Sequence, residues 1–452
     1  MGVMSVESAA GPLERSAIRK AMWRLLPLLG LGYLICFVDR QNIAMAKLQM
    51  DAALGLSETA YGLGAGIFFA GYFLLEAPSS LALHRFGARR WIARIMFTWG
   101  VLSAVCAFIL PISAATGPSP RLVFYIDRVL LGAAEAGFFP GIAYYLTLWF
   151  PSAYRARATG LFFMGSAFAL ILGQPLSGAL LGVSGAGLDG WQWLFLIESA
   201  PAILLALVLL MVLPDGPDQA KWLTDSERSW LKARLDYEGL EATGAHGAAA
   251  LRILADPRVL AVGLVTFCTQ IVTYGVTFFT PTIIKAFGVS NFQTGLLSAL
   301  PYVFSMGGVL AITHLCDRSL KRREYLAISL LITAAGLAGA ALVPAPVVRL
   351  GFLCLAAFGM SGAIPLTMAI PASFLTGAAA AAGMAATNAI GSLGGFVGPY
   401  AMGAARDATG GFTAGLLALA CSGVVGAALA MLLKVGKESH APAATAHSAV
   451  AV

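Results

Sequence analysis

The stretch RLVFYIDRVLLGAAEAGFFPGIAYYLTLWF, residues 121–150, is long and apolar enough to cross a bilayer as a helix, yet it carries Asp127, Arg128 and Glu135. A membrane-spanning helix needs about 20 predominantly apolar residues. A charge near the bilayer centre costs at least about 2.5–3.5 kcal/mol on insertion scales. These three groups must therefore face protein or water rather than lipid. Arg128 and Glu135 are seven residues apart, which places them on one helical face about 10 Å apart along the axis. A second apolar stretch, LLPLLGLGYLICFVDRQNIAMA at 25–46, carries Asp39 and Arg40. Two spans, each with an acid and an arginine at mid-depth, imply a polar cavity between helices that can bind an anion and a proton. The alternative is that the charges only pair with each other and hold helices together.

Hydrophobic residues make up 59 % of the chain and charged residues 11 %, against about 45–50 % and 25 % in soluble domains. With apolar runs throughout, the expected class is a polytopic, all-α membrane protein. The formal charge of +7 does not mark nucleic-acid binding, because the basic residues fall in short loops, where the positive-inside rule acts. Cys36, Cys106, Cys268, Cys316, Cys354 and Cys421 have no paired spacing and read as small packing residues, not as a disulfide framework or metal site. There is no phosphate-binding loop, no metal-spaced His/Cys cluster and no nucleophile elbow. An enzyme and an ATP-driven pump are disfavoured, and no cofactor is expected.

Twelve apolar segments are expected, at about 25–47, 58–83, 91–112, 121–149, 157–183, 191–213, 259–284, 292–316, 324–343, 347–372, 379–404 and 412–433. They divide the chain into an N-tail (1–24), a first six-helix half (25–213), a charged linker (214–257), a second six-helix half (258–433) and a polar, disordered tail (434–452). The first apolar segment reads as a membrane helix, not a removed signal peptide. In the linker, Thr224 followed by Glu227 fits a capping box. With the N-terminus placed in the cytoplasm, 22 of the 29 Lys and Arg residues fall on that side and five, including Lys47 and Arg406, on the other. Both termini are thus expected to be cytoplasmic. HRFGARR (84–90) follows the second segment and DRSLKRR (317–323) the eighth. GQPLSG (173–178) and GGFVGPY (394–400) correspond in the fifth and eleventh. Such parallel repeats describe a two-half transporter. Gly62, Gly64 and Gly66, and Gly391, Gly394, Gly395 and Gly398, read as close-approach positions between membrane helices.

The strings FVDRQNIAMAKLQMDAALGLSETAYGLGAGIFFAGYFLLEAPSS (37–80), HRFGARRWIARI (84–95), RVLLGAAEAGFFPG (128–141), WFPSAYRARA (149–158), YGVTFFTPTIIK (274–285) and TNAIGSLGGFVGPY (387–400) together resemble the major facilitator superfamily. Within it they resemble the anion:cation symporter group, the bacterial permeases for tartrate, hydroxyphenylacetate, phthalate and sugar acids. The resemblance covers nearly the whole chain. The Asp-Arg pair of the first segment with Arg128, Glu135 and the AGFFPG run is its most specific part.

The resemblance implies Asp39 and Glu135 as protonation sites, with Arg40 pairing with Glu135 and released on protonation. Arg128 would face the substrate carboxylate. Tyr72, Gln270, Tyr274 and Asn388 would line the cavity. Asp127 is unusual beside Arg128, and either pairs with it at rest or faces another helix. The gating turns would be His84, Arg85 and Arg89 in the first copy and Asp317 and Arg318 in the second. His84 stands where the superfamily has an acid, and reads as structural rather than as a pH sensor. Relatives carry an aromatic pair near Thr367 and Met368, and its absence alters the cavity. Arginine suits a carboxylate ligand because its planar fork makes two parallel hydrogen bonds. The function implied is import of a small organic anion across the bacterial inner membrane by proton symport, with the chain working as a monomer. Sodium coupling, exchange, and a transporter-like sensor are the alternatives.

Overall fold

The computed structural model describes residues 4–242, 256–319, 321–372, 374–375 and 377–433. The expected polar tail at 434–452 and the end of the linker, 243–255, lie outside the described residues. Every one of the twelve apolar segments is occupied by one helix or by two helices separated by a short break. The first six hold α1 (Met4–Leu54), α2 (Glu58–Phe86), α3 (Ala88–Cys106), α4 (Ile109–Thr116), α5 (Pro120–Glu135), α6 (Phe138–Thr147), α7 (Ser152–Leu180) and α8 (Gly190–Val212). The linker holds α9 (Asp225–Ala242). The last six hold α10 (Pro257–Thr277), α11 (Thr280–Lys285), α12 (Asn291–Ser319), α13 (Arg322–Leu342), α14 (Pro346–Ala372), α15 (Gly377–Thr409) and α16 (Thr413–Leu432). Among the described residues nine helices are each long and apolar enough to span a bilayer, or ten if the bent pair α3–α4 is one span.

Three segments expected as single helices are broken. α3 and α4 meet at 77°. α10 and α11 part at Phe278 and Phe279. The segment at 121–149 breaks after Glu135, because Ala136 is extended and Gly137 is left-handed at φ +87°. A side chain at Gly137 would also run into that of Ser79. The first helix is longer than expected and begins well before residue 25.

The helices of the first six segments meet those of the last six where α2 crosses α15 and where α7 crosses α12, with α11 against α1. Glycine makes the first crossing possible, since a Cβ on Gly62 or Gly66 would strike the backbone of Pro399 or Phe396. Close approach at these positions, read from the sequence, is what the structure has. All three seams lie toward the end where α1 finishes and α2 begins.

At the opposite end the linker helix docks on the helices of the first six segments. The Thr224–Glu227 capping box is formed, with the Glu227 amide donating to Thr224 Oγ1 at 3.3 Å and the Thr224 amide to Glu227 Oε2 at 2.8 Å. The same carboxylate accepts from Ser16 at 2.7 Å and Lys20 at 2.8 Å, tying α9 to the extended start of α1. Trp222 stacks on buried Trp149 at 5.4 Å.

Burial works to raise the Glu227 carboxyl, but hydrogen bonds from Lys20, the Thr224 amide and Ser16 favour its ionised form and bring it down to about 2. A folded-state value below the unfolded one means the contact stabilises at neutral pH and is lost as pH falls from about 4.5 toward 2. Amide exchange in α9, corrected for the intrinsic pH dependence, should therefore rise across that window, and Glu227→Gln should show raised exchange already at pH 7. Separately, Gly137→Ala should cost about 1–2 kcal/mol from its left-handed backbone alone. It should lower the thermal midpoint followed by tryptophan fluorescence, while Gly160→Ala, which meets open space, should not.

Candidate functional site

Glu135 is the last residue of α5, and its carboxylate turns toward α1. Arg40 Nε donates to Glu135 Oε1 at 3.1 Å, and Nη2 of the same guanidinium binds the same oxygen. The Cys36 thiol donates to that oxygen as well, at 2.7 Å. The expected Arg40–Glu135 pair is thus formed in the interior, with the two side chains 12 % and 4 % exposed. Aromatic rings surround the guanidinium, with Phe37 and Phe68 centroids at 5.4 Å and Tyr72 at 5.5 Å. Tyr274 of α10 reaches Arg40 from the last six segments, and its ring packs on Phe69 at 4.3 Å. Tyr72 and Tyr274, both named from the sequence, therefore converge on one cation.

Asp39 and Arg128 belong to a second, sealed cluster. Asp39 is 3 % exposed and accepts from the Ser103 hydroxyl of α3 and from Asn42 at 3.3 Å. Arg128 is fully buried, with its guanidinium 5.2 Å from the Phe68 ring centroid. None of its three guanidinium nitrogens has a hydrogen-bond partner. Asp127, 4 % exposed, lies against the Cys106 thiol at the end of α3. Of the two readings of Asp127, the structure has the one in which it faces another helix. Phe68 stands between the two arginines and contacts both.

Gln270 and Asn388 are placed differently. Both are half-buried, and Gln270 packs along the α10–α15 seam beside Gly391 and Gly394. Among the described contacts neither reaches Arg40 or Arg128. In the gating turns, the Arg89 amide donates to Asp215 Oδ1 at 3.0 Å and its guanidinium pairs with the same carboxylate at 3.5 Å. Arg85 lies 5.6 Å over Phe86. Asp317 and Arg318 are exposed at the end of α12. The His84 side chain lies outside the described residues.

Some groups escaped the sequence reading. Glu198 of α8 is 3 % exposed and accepts from Ser177 at 2.6 Å. It is a further carboxyl inside an apolar run, and the rule that singled out Glu135 applies to it equally. Cys36 and Cys106, read as packing residues, each sit beside a buried carboxyl. Lys47, counted among loop residues, is 4 % exposed and lies within α1.

A bundle of spanning helices that encloses two arginines and several carboxylates defines a polytopic membrane protein with a charged interior. The sequence model of the Major Facilitator Superfamily matches residues 29–399, and again 262–449. A protein of Agrobacterium vitis named as a tartrate transporter is 44 % identical over 93 % of this chain and 92 % of its own. A quinolone resistance transporter of Acinetobacter baumannii is 41 % identical over 89 % of this chain and 91 % of its own. Among solved structures, the inward-open xylose transporter XylE of E. coli superposes with a TM-score of 0.73 at 18 % identity, covering 93 % of this chain and 97 % of that one. The chain belongs to the Major Facilitator Superfamily, with the two six-helix halves of that fold, and is a secondary transporter rather than an enzyme.

Removing one member of a buried ion pair strands the other, which costs about 3–5 kcal/mol, whereas replacing both with apolar groups is often neutral. Arg40→Met should therefore lower thermal stability clearly, and Arg40→Met with Glu135→Leu should recover most of the loss. Equal losses in the single and double variants would show that the pair does not govern local stability.

Proposed function

We propose that this protein imports a small organic anion across the bacterial inner membrane by proton symport, working as a monomer with both termini in the cytoplasm. The observation that carries the reading is the enclosed constellation itself: Arg40 paired to Glu135 inside an aromatic cage, and Arg128 buried nearby with no hydrogen-bond partner. A proton on Glu135 removes the charge that holds Arg40. The freed fork can then take a carboxylate in a bidentate grip, while Tyr72 and Tyr274 orient the rest of the molecule. Anion binding and proton binding thus favour each other at one site, which is the condition for symport. Asp39, held by Ser103 and Asn42 in the cluster that contains Arg128, is the second proton carrier. The two halves then rock about the site, with Arg85, Arg89, Asp317 and Arg318 in the turns that gate the cytoplasmic end. A substrate in the tartrate or aromatic-acid range fits two cations and a ring of aromatic side chains, and the Agrobacterium vitis relative bears a name for tartrate.

The Acinetobacter baumannii relative is named for quinolone resistance, which favours a second reading, export of an aromatic acid through the same site. Sodium is the other candidate coupling ion, since carboxylates bind it as well. Proteoliposomes loaded against pH and sodium gradients, with labelled tartrate as probe, separate these readings by driving ion and direction of flux. In the same vesicles Glu135→Gln should abolish proton-driven uptake while keeping tartrate exchange. Uptake that still follows the pH gradient in Glu135→Gln would remove the coupling role.

A further inference from the structure

The first six segments hold a buried carboxyl that the proposed transport step does not use. Glu198 lies inside the apolar run of α8 and is closed off from solvent, so its charge state is set by what the helices around it offer. Those helices are α1, α3 and α7. From α1 comes Asp39, the one titratable or charged group among the described residues whose field reaches Glu198. α3 turns Ser103 toward Asp39 and Cys106 toward Asp127. α7 offers the Ser177 hydroxyl, 2.6 Å from Glu198 Oε1. The other carboxyl oxygen, Oε2, is buried without a partner.

No cation among the described residues balances this carboxyl. An isolated carboxylate in an apolar interior takes up a proton rather than stay charged. Asp39 acts in the same sense, because two acids that feel each other in a low-dielectric interior do not ionise together. The charge of Arg128 reaches Asp39 and Asp127, and not Glu198. Asp39 is therefore the group that can stand ionised, and Glu198 the one that keeps its proton.

The hydrogen bonds around Ser177 point the same way. Its hydroxyl has one hydrogen and two acceptors in reach, Glu198 Oε1 and the Gly173 carbonyl at 2.9 Å, one turn back on α7. With Glu198 ionised, the hydroxyl donates to the carboxylate. With Glu198 neutral, the acid donates to Ser177 Oγ and the hydroxyl hydrogen goes to Gly173. Each protonation state thus finds its partner by one rotation of a hydroxyl, with no helix movement. A contact that only held α7 against α8 would need one such state, and this site provides for two.

We propose that Glu198 is a proton-binding site of this protein, a carboxylic acid that donates to Ser177 and is coupled to Asp39, so that the two give up their protons one after the other. The site stands whatever the substrate. Its bearing on transport rests on the symport reading above: Asp39 can release its proton during the cycle because Glu198 keeps its own.

The test uses the purified chain in a maltoside detergent, whose molecules carry no carbonyl. No substrate is added, so its outcome is separate from that of the transport reading. Infrared difference spectra at pH 7 should show one carboxylic-acid carbonyl band of the parent lost in Glu198→Gln. Ser177→Ala should keep that band and move it to higher frequency, and it carries the assignment if Glu198→Gln fails to elute as a monodisperse species. Raising the pH should remove the band, and in Asp39→Asn the same loss should come at lower pH, because no charge at that position then opposes it. A Glu198→Gln spectrum that loses no acid band would mean that Glu198 is already ionised at pH 7, and would overturn the proposal. A band that persists until the protein unfolds, or that is lost at the same pH with and without Asp39, would make Glu198 a purely structural acid and overturn it as well.

Discussion

Two charges facing each other inside a bilayer-embedded bundle, Arg40 and Glu135, set the terms for everything around them. An ion pair in such a place is rarely a net source of stability, because the desolvation of both ions offsets their attraction. The fold nevertheless brings α1 and α5 together so that one carboxylate oxygen takes two guanidinium contacts and a thiol. Phe37, Phe68 and Tyr72 then close over the cation. Such an arrangement makes sense where the pair has to break and re-form, since a permanent structural contact would be better served by apolar side chains. A transport cycle gives it that occasion.

The helix breaks follow from the same constraint. Irregular backbone at membrane depth survives only where protein or a water-filled cavity satisfies it. The break at Gly137 comes directly after Glu135, and it ends α5 where the carboxylate must turn toward α1. The break at Phe278–Phe279 is covered by Tyr61, whose hydroxyl binds the freed Phe278 carbonyl. Discontinuous spans in this chain thus sit beside its charged groups, as expected for transporters whose sites are built from broken helices.

Much of this was legible in the sequence. Ionisable residues inside apolar runs are rare enough that Asp39, Arg40, Asp127, Arg128 and Glu135 announced an interior site, and the pairing of Arg40 with Glu135 came through the family resemblance. The positions of the twelve segments could be read from hydropathy alone, because a bilayer imposes a fixed length. The breaks could not, since a run of apolar residues has the same hydropathy whether or not the helix turns within it. Glu198 is readable by the rule applied to Glu135, since it too is a carboxyl inside an apolar run. Lys47 was hidden for another reason: at a segment end a charge is expected to be in water, and only the packed structure shows that this one is enclosed, at 4 % exposed.

The first helix links the two charged levels. Cys36, Arg40 and Lys47 follow at intervals of four and seven residues, which places them on one face of α1. Arg40 and Lys47 are therefore two turns apart, about 10 Å along the axis. Between them the helix runs without a break, so a rotation that re-aims Arg40 also re-aims Lys47. A movement of α1 that frees Arg40 from Glu135 therefore also moves Lys47, whose ammonium pairs with Asp51 on the same helix and with Glu58 Oε2 at 2.8 Å at the start of α2. That is a physical route by which a change at the centre of the bundle can reach the end where α1 finishes, with no chain of intermediate side-chain contacts required.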